Sequence, residues 1–416
     1  DFGLVRVGCA SQQRKVTIYN TGTAPLEVTK IEPQNCPGEF KLFNLPILPI
    51  EVTNTQPVTI EVYYEPTDLG TDTCNLLIQS SDQNNANFVI PMKGEGTDSD
   101  FQVDEFVQLS GQKVDILFVV DNSGSMGEEQ DNLSANFDAL IKEAKKWNSD
   151  FQLGIVTVEI EENNSNRGKL RGDPRIIKLG TPPDYTVVES QFKSTIKVGT
   201  GYSGAQEAGL EAARIALTPP LITDTGLSCA QDADCPGADL CVQNICGGYN
   251  RGFLREDASL EIVIISDEED QSPGGTDFYI DFFKNIKGYQ NDGLMHVSVI
   301  VGPKGGCTNE FGSAEYGKRY IEVANATNGD VESICSPTFS QTLEKIGNRA
   351  FGLKVQFFLT RAPVESTIKV FVDNVQKSSG WTFAADSNSI IFDQANVPQA
   401  NQKIRVEYTA MCFQYN

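Results

Sequence analysis

The sequence predicts an α/β fold: a doubly wound, Rossmann-like sheet in the middle of the chain, flanked by an amino-terminal β-sandwich and a small carboxy-terminal β domain. Three observations lead there. Residues 114–120, 260–265 and 294–301 are apolar, β-branched runs of the kind that form strands buried on both faces, and helical periodicities separate them. The first run closes on Asp121, Ser123 and Ser125, a carboxylate and two hydroxyls at the carboxyl end of a buried strand, where open α/β sheets hold ligands. On either side, shorter runs alternate apolar and polar residues between turn signals, as half-buried strands do.

A chain of 416 residues is long enough for roughly two to four domains, each with a full core. The formal net charge of −23 makes nucleic acid and anionic membranes poor partners and cations good ones. No apolar run reaches the roughly eighteen residues a membrane-spanning helix needs, so no membrane insertion is expected. The start does not resemble a signal peptide, and Asp1 leads straight into β-type sequence, as in a processed chain. Ten clustered cysteines with a single histidine argue for disulfides and an oxidising, extracellular, cell-surface or periplasmic setting rather than for a cytosolic zinc protein.

Residues 1–97 read as a run of short strands. Val16-Thr17-Ile18-Tyr19 leads into Asn20-Thr21-Gly22, residues 58–64 alternate, and Phe88-Val89-Ile90 precedes Gly94-Glu95-Gly96. The Val-Thr-Ile-x-Asn-Thr-Gly turn and the Gly-x-Gly ending resemble the bacterial Ig-like modules related to the ASH/MSP group, which implies a stalk or spacer. A polar stretch near 97–104 reads as a linker into a central domain at about 105–353.

In that domain Leu133, Phe137, Leu140, Ile141 and Ala144 mark one helix face, and residues 151–158 read as a strand with Ile176-Ile177-Lys178-Leu179 as a hairpin partner. Residues 188–197, 205–217 and 340–351 carry helical spacing, and Gly199-Thr200-Gly201 stands before the second of these. The strand 260–265 ends at Ser266-Asp267. A Cys-rich insert, 226–248, holds Cys229, Cys235, Cys241 and Cys246. It lacks the Cys-x-x-Cys pairs or histidines of a zinc site, so two disulfides in a small knob are expected. Cys307 and Cys335 flank a helical stretch as a further pair. Cys9 would meet Cys36 if residues 13–33 form a hairpin, leaving Cys74 for Cys412. Residues 354–416 hold about four strand candidates around Trp381, few for a free-standing sheet.

Asp121-x-Ser123-x-Ser125 after a buried strand resembles the metal-ion-dependent adhesion site of von Willebrand factor A domains, and the resemblance spans the central domain. It implies that Ser123 and Ser125 bind a divalent cation through their hydroxyls. Thr200 would bind directly or through water, and Asp121 and Asp267 mainly through bound waters. Mg²⁺ suits few direct charges and retained water, with Ca²⁺ or Mn²⁺ as alternatives. One coordination position would stay open for an acidic group of an extracellular protein or glycan partner. The element order puts the insert and both domain ends on the face opposite the ion.

Simpler roles stand beside each residue. Asp121 and Ser123 could cap the following helix, and Thr200 the next one. Asp267-Glu268-Glu269-Asp270 departs from the family, where glycine often follows the aspartate. It is either an acidic first turn on a helix dipole or extra charge beside the cation, which would strengthen cation retention, admit Ca²⁺ and discourage an acidic partner. Glu128 and Glu129 raise the same question, with a solvated face as the simpler answer. With one histidine, His296, set in a strand, His-based catalysis has little support and no carboxylate pair is marked out for hydrolysis. The expected function is therefore non-enzymatic: an adhesin-like, cation-dependent binding protein, with a structural or assembly module as the alternative.

Overall fold

The computed structural model describes residues 1–22, 24–36, 38–83, 85–108, 111, 113–204, 206–237, 239–242, 244–288 and 292–415. The chain divides into two compact units, 1–109 together with 353–416, and 110–352.

The first unit is built from antiparallel strands. Gly70–Ser80 and Asn87–Thr97 form its longest hairpin, extended on one side by Leu26–Gln34 and Ile50–Val52 and on the other by a parallel pairing with Leu4–Arg6. Arg14–Ile18, Val58–Tyr64 and Phe40–Phe43 make a second sheet. Alternate residues of both sheets, among them Val28, Ile60, Val62, Tyr64, Leu76 and Met92, share one buried cluster. The glycines that end this segment are required by close approach. A Cβ on Gly94 would lie 2.4 Å from the Tyr64 ring, and one on Gly96 2.0 Å from the Asp68 carbonyl oxygen.

Of the stretch read as a linker, residues 98–100 do connect two strands, but from Phe101 the chain is itself a strand. Phe101–Val107 pairs antiparallel with Lys403–Thr409 along its whole length, Phe101 opposite Thr409 and Val107 opposite Lys403. Lys369–Val372 and Val375–Lys377 complete that sheet, and Gln356–Phe358, Ser389–Phe392 and Trp381–Ala384 form another. The carboxy-terminal segment thus has six strands and borrows a seventh from before residue 109. Asp104 locks the arrangement from inside, accepting hydrogen bonds from Thr360 N (2.9 Å), Thr360 Oγ1 (2.6 Å) and Tyr408 Oη (2.8 Å). Gln108 holds the exit and return strands together through Lys354 and the Pro398 carbonyl.

In residues 110–352 a six-stranded sheet runs in the order Ile177–Lys178, Asp150–Thr157, Lys113–Val120, Ser259–Ser266, Met295–Val301, Val331–Ser333, parallel except for its first pair. Lys113–Val120 alternates between two cores. Val114, Ile116, Phe118 and Val120 enter one with helices α1 (Gly127–Trp147), α2 (Tyr185–Thr195) and α6 (Ser340–Phe351). Leu117 and Val119 enter the other with α3 (Gly209–Ala216), α4 (Thr276–Asn285) and α5 (Lys318–Ala326). Truncating a fully buried ring such as Phe118 to alanine costs about 3–5 kcal/mol. Helix α1 ends where Asn148 turns left-handed (φ 49°) and its N–H returns to the last turn. The expected start of α3 at Ala205 lies outside the described residues, and α3 itself begins at Gly209. At the amino end of the central strand Asp115, fully buried, accepts from Arg255 N and Nε, each at 2.7 Å, and burial pushes its carboxyl up to about 6.

The α/β, doubly wound fold class expected of this chain is corrected. The structure is mostly β, 36% strand against 20% helix, with its strands spread over many small sheets and its helices few. The reason is physical. The long apolar runs that suggested the α/β class feed a single sheet, while the period-2 segments before, inside and after it build the rest as short antiparallel ladders.

Two disulfide expectations are corrected as well. Cys9 pairs with Cys412 and Cys36 with Cys74, because Cys9 lies beside the last segment, where Ala10 bridges Phe413. The insert carries Cys229–Cys241 and Cys235–Cys246, and Cys307 is bonded to Cys335, so no cysteine is free. Insert residues Ala238 and Gln243 lie outside the described residues. All ten cysteines being oxidised places the chain in an oxidising compartment. No described helix is long and apolar enough to cross a membrane.

Candidate functional site

Asp121 and Asp267 come together because their strands are neighbours. Val120 stands opposite Ile265 in the parallel ladder, the Asp121 N–H donates to the Ile265 carbonyl at 3.0 Å, and both aspartates follow directly at the carboxyl ends. Asp121 Oδ1 accepts the Ser123 N–H at 2.8 Å, a tight local turn that folds the loop back. Its other oxygen accepts the Ser266 hydroxyl at 2.7 Å. The Ser123 and Ser125 hydroxyls then face each other at 3.3 Å, the first buried and the second exposed.

The loop carrying Thr200 is tied to the same place by a side chain the sequence reading passed over. Gln130, in the first turns of α1, donates to the carbonyls of Asp121 (3.2 Å) and Gly199 (2.8 Å) and accepts the Gly199 N–H (3.2 Å). Tyr202 N adds a bond to the Asn122 carbonyl at 3.1 Å. Thr200 is exposed, its methyl 3.7 Å from where a Cβ on Gly127 would stand.

The capping alternatives fail. Met126 occupies the cap of α1 and no side chain bonds there, so neither Asp121 nor Ser123 serves that end. The α3 amino end is held by Asp270 on Leu210 N (3.2 Å) and Ser272 on Glu211 N (2.9 Å), not by Thr200. The acidic run after Asp267 divides its work. Asp270 is buried against Arg319 (3.3 Å), while Glu269 accepts the Arg319 N–H at 3.1 Å at the start of α5. Both therefore face helix amino ends, though of α3 and α5 rather than of a helix they begin.

Glu129 is not a solvated residue as expected, but 7% exposed, and its Oε2 has no hydrogen-bond partner. Asp267 Oδ1 and Glu207 Oε2 are likewise buried without one. Burial raises the Asp121 carboxyl, with the Asp267 charge adding to it and the Ser123 and Ser266 bonds opposing. Glu129 is raised by burial and by the charges of Asp267, Glu128 and Asp121. Glu207 is pushed up to about 8 by burial, the Asp121 charge and a hydrogen bond shared with Glu268. Nothing around Glu207 in the sequence signals this, because its place depends on the pairing of Gln271 N with its carbonyl at 2.9 Å.

These carboxylates feel one another's charge without forming a tight cage. Among the described residues the one place where three or more acidic, histidine or cysteine ligand atoms lie within 4.8 Å of one another is Cys229, Cys235 and Cys246. A cation beside Ser123 and Ser125 would thus meet hydroxyls and water first, with carboxylates around them, a donor set that fits a small, hydrated ion such as Mg²⁺. The orphaned Asp267 oxygen fits the same role.

No protein-family model and no curated protein matches the chain. Among solved structures it is similar to proximal thread matrix protein 1 from the mussel byssus, at 14% identity and a TM-score of 0.32, over 61% of this chain and 49% of that one. It is also similar to the pilus adhesin SpaC from Lactobacillus rhamnosus GG, at 10% identity and a TM-score of 0.32, over 83% of this chain and 42% of that one. The chain thus spans about half the length of either neighbour. Likenesses this low carry no argument about the site.

Proposed function

We propose that residues 110–352 carry a divalent-cation site of the metal-ion-dependent adhesion type. In this reading the protein is a secreted or cell-surface, adhesin-like binding protein rather than an enzyme. The observation that carries it is the buried, unpartnered Asp267 Oδ1 beside a raised Asp121 carboxyl, with the Ser123 and Ser125 hydroxyls in contact and no helix end using any of them. Leaving a buried carboxylate oxygen without a partner costs about 1–3 kcal/mol or more, which a bound cation would offset. Ser123, Ser125 and Thr200 would hold the ion, Asp121 and Asp267 would act through water, and the remaining position would take an oxygen of an extracellular protein or glycan. Mg²⁺ is the expected ion, with Ca²⁺ and Mn²⁺ as competitors.

The assembly reading, in which the cation braces the loops or meets another subunit, rests on the Gln130 bridge between the two loops. Calorimetric titration of chelator-stripped protein with Mg²⁺ and Ca²⁺, beside a Ser123→Ala, Ser125→Ala variant, tests the site. Saturable binding lost in a folded variant supports it, and glycan and surface-protein arrays with and without chelator then separate adhesion from assembly. Binding unchanged in the variant removes the site and the adhesin reading with it.

A further inference from the structure

Asn122 stands next to Glu159 for the same reason that Asp121 stands next to Asp267. Val120 is opposite Thr157 in the parallel ladder, and Asn122 and Glu159 each follow two residues later, at the carboxyl ends of neighbouring strands. The Asn122 amide nitrogen donates to Glu159 Oε1 at 3.1 Å, and the Thr157 hydroxyl donates to Glu159 Oε2 at 2.6 Å. Both Glu159 oxygens are thus engaged, and the amide can stand only one way round, because its nitrogen must face the carboxylate. That leaves Asn122 Oδ1 buried without a partner, on a residue only 6% exposed.

The segment before α3 closes on the same place. Tyr202 N holds the Asn122 carbonyl at 3.1 Å, and the Tyr202 hydroxyl is shared between Glu161 Oε1 and the Gln206 carbonyl. The Ala208 N–H reaches the Val158 carbonyl at 3.4 Å, which carries Glu207 up to the turn of Glu159 and Glu161. The Asp121 charge bears on Glu207, and the charges of Glu161 and Glu159 bear on the Tyr202 hydroxyl. Glu161 Oε2 and Glu207 Oε2 are, like Asn122 Oδ1, buried without a partner.

These three oxygens are all acceptors, so none can satisfy another. Arg167 turns its Nε–H to the Ile160 carbonyl at 2.7 Å, and among the described residues no lysine or arginine pairs with Glu159, Glu161 or Glu207. One water could donate to two of the three, whereas a cation meets them all. Among the described residues no three acidic ligand atoms here lie within 4.8 Å of one another, and one of the donors is a neutral amide. Such a loose, mixed oxygen set suits Ca²⁺, which takes about six to eight oxygens in flexible geometry, better than the strict octahedron of Mg²⁺.

We propose that Asn122, Glu161 and Glu207 bind a Ca²⁺ of their own, with Glu159 fixing the amide and water filling the remaining positions. The ion ties together the loop after Lys113–Val120, the turn after Asp150–Thr157 and the segment leading into α3. It has no donor in common with the adhesion-type site, so either site can exist without the other.

The test is Ca²⁺ titration of the chelator-stripped full chain by equilibrium dialysis and calorimetry. A Glu161→Gln, Glu207→Gln variant, an Asn122→Ala variant and the Ser123→Ala, Ser125→Ala variant are compared, each checked for folding by circular dichroism in chelator. The expected result is an ion bound with a Kd on the order of 10⁻⁴–10⁻³ M, as in extracellular calcium modules. It is lost in the glutamine variant, held more weakly by Asn122→Ala and kept by the serine variant. Mg²⁺ binding lost only in the serine variant reads the adhesion-type site separately. Equal Ca²⁺ uptake by the glutamine variant and the unaltered protein overturns the proposal, as does an unaltered protein that takes up none. Loss of all Ca²⁺ in the serine variant also overturns it, since Glu161 and Glu207 then belong to one site with Ser123 and Ser125. Should the glutamine variant not fold, unchanged Ca²⁺ affinity in Asn122→Ala overturns it.

Discussion

Replacing Asp267 with asparagine separates a cation site from a purely structural carboxylate, because the two predict opposite signs. Asp267 is 7% exposed, its Oδ1 has no partner, and its charge is one of the causes that raise Asp121 and Glu207. Without cation these like charges repel across neighbouring strand ends. Asp267→Asn keeps the shape and removes one of them, so the stripped protein should gain about 1 kcal/mol, or about 2–4 °C for a unit of this size. With cation at about 100 times its Kd the unaltered protein should gain about 2.7 kcal/mol, about 5–11 °C on the same scale. The variant should gain almost nothing. Thermal unfolding of both proteins in chelator and in Mg²⁺ reads all four values. A variant that melts lower in chelator, or one that keeps the full gain with Mg²⁺, refutes the reasoning.

Glu261 offers a pH test away from the site. It is buried at 1% exposure beside the Ser298 hydroxyl, and burial pushes its carboxyl up to about 8. The fold therefore keeps a proton that the unfolded chain releases from about pH 4.5, so stability contributed by this group is lost as pH rises toward 8. Glu261→Gln should match the unaltered protein below about pH 4 and exceed it by a few kcal/mol near pH 8 in denaturant titrations. An unchanged difference across that range would exclude the linkage. In the other unit, Gly94→Ala forces a methyl to within 2.4 Å of the buried Tyr64 ring and should cost about 1–3 kcal/mol, seen as a lower melting temperature of residues 1–109 with 353–416. Cys9→Ser with Cys412→Ser removes a link spanning 403 residues and should cost about 2–5 kcal/mol, with faster proteolysis at the last strand; equal protease resistance would show the ladder alone suffices.

Several elements were legible because their signals are local. The run 114–120 is a fully buried strand, since apolar residues on both faces admit no other use. Leu133, Phe137, Leu140 and Ala144 lie on the buried face of α1 as their spacing requires. The adjacency of Ser123 and Ser125 also follows from a short loop after a strand. The fold class was misjudged because apolar runs are conspicuous and period-2 hairpins are not, although the hairpins supply most of the sheets. The 97–104 linker was drawn too long because the loop composition of residues 98–100 runs straight into Phe101–Val107, an edge strand whose alternation is interrupted by the buried Asp104. Glu129 was read as solvated because its neighbour Glu128 is, and only its position on α1 turns it inward.

What the sequence determined alone was therefore everything set within a dozen or so residues. That covers the central strand and its helix, the order of hydroxyls and carboxylates along the chain, the acidic balance, and a cysteine content that requires an oxidising compartment. The tertiary structure decided what depends on which distant segments share a sheet or a core. It joined Cys9 to Cys412, drew Phe101–Val107 into the last sheet, and set Asp267 beside Asp121 through the pairing of Val120 with Ile265. It buried one carboxylate oxygen each of Glu129 and Glu207 without a hydrogen-bond partner, because burial and like charge are properties of neighbours in space and leave no mark on neighbours in sequence.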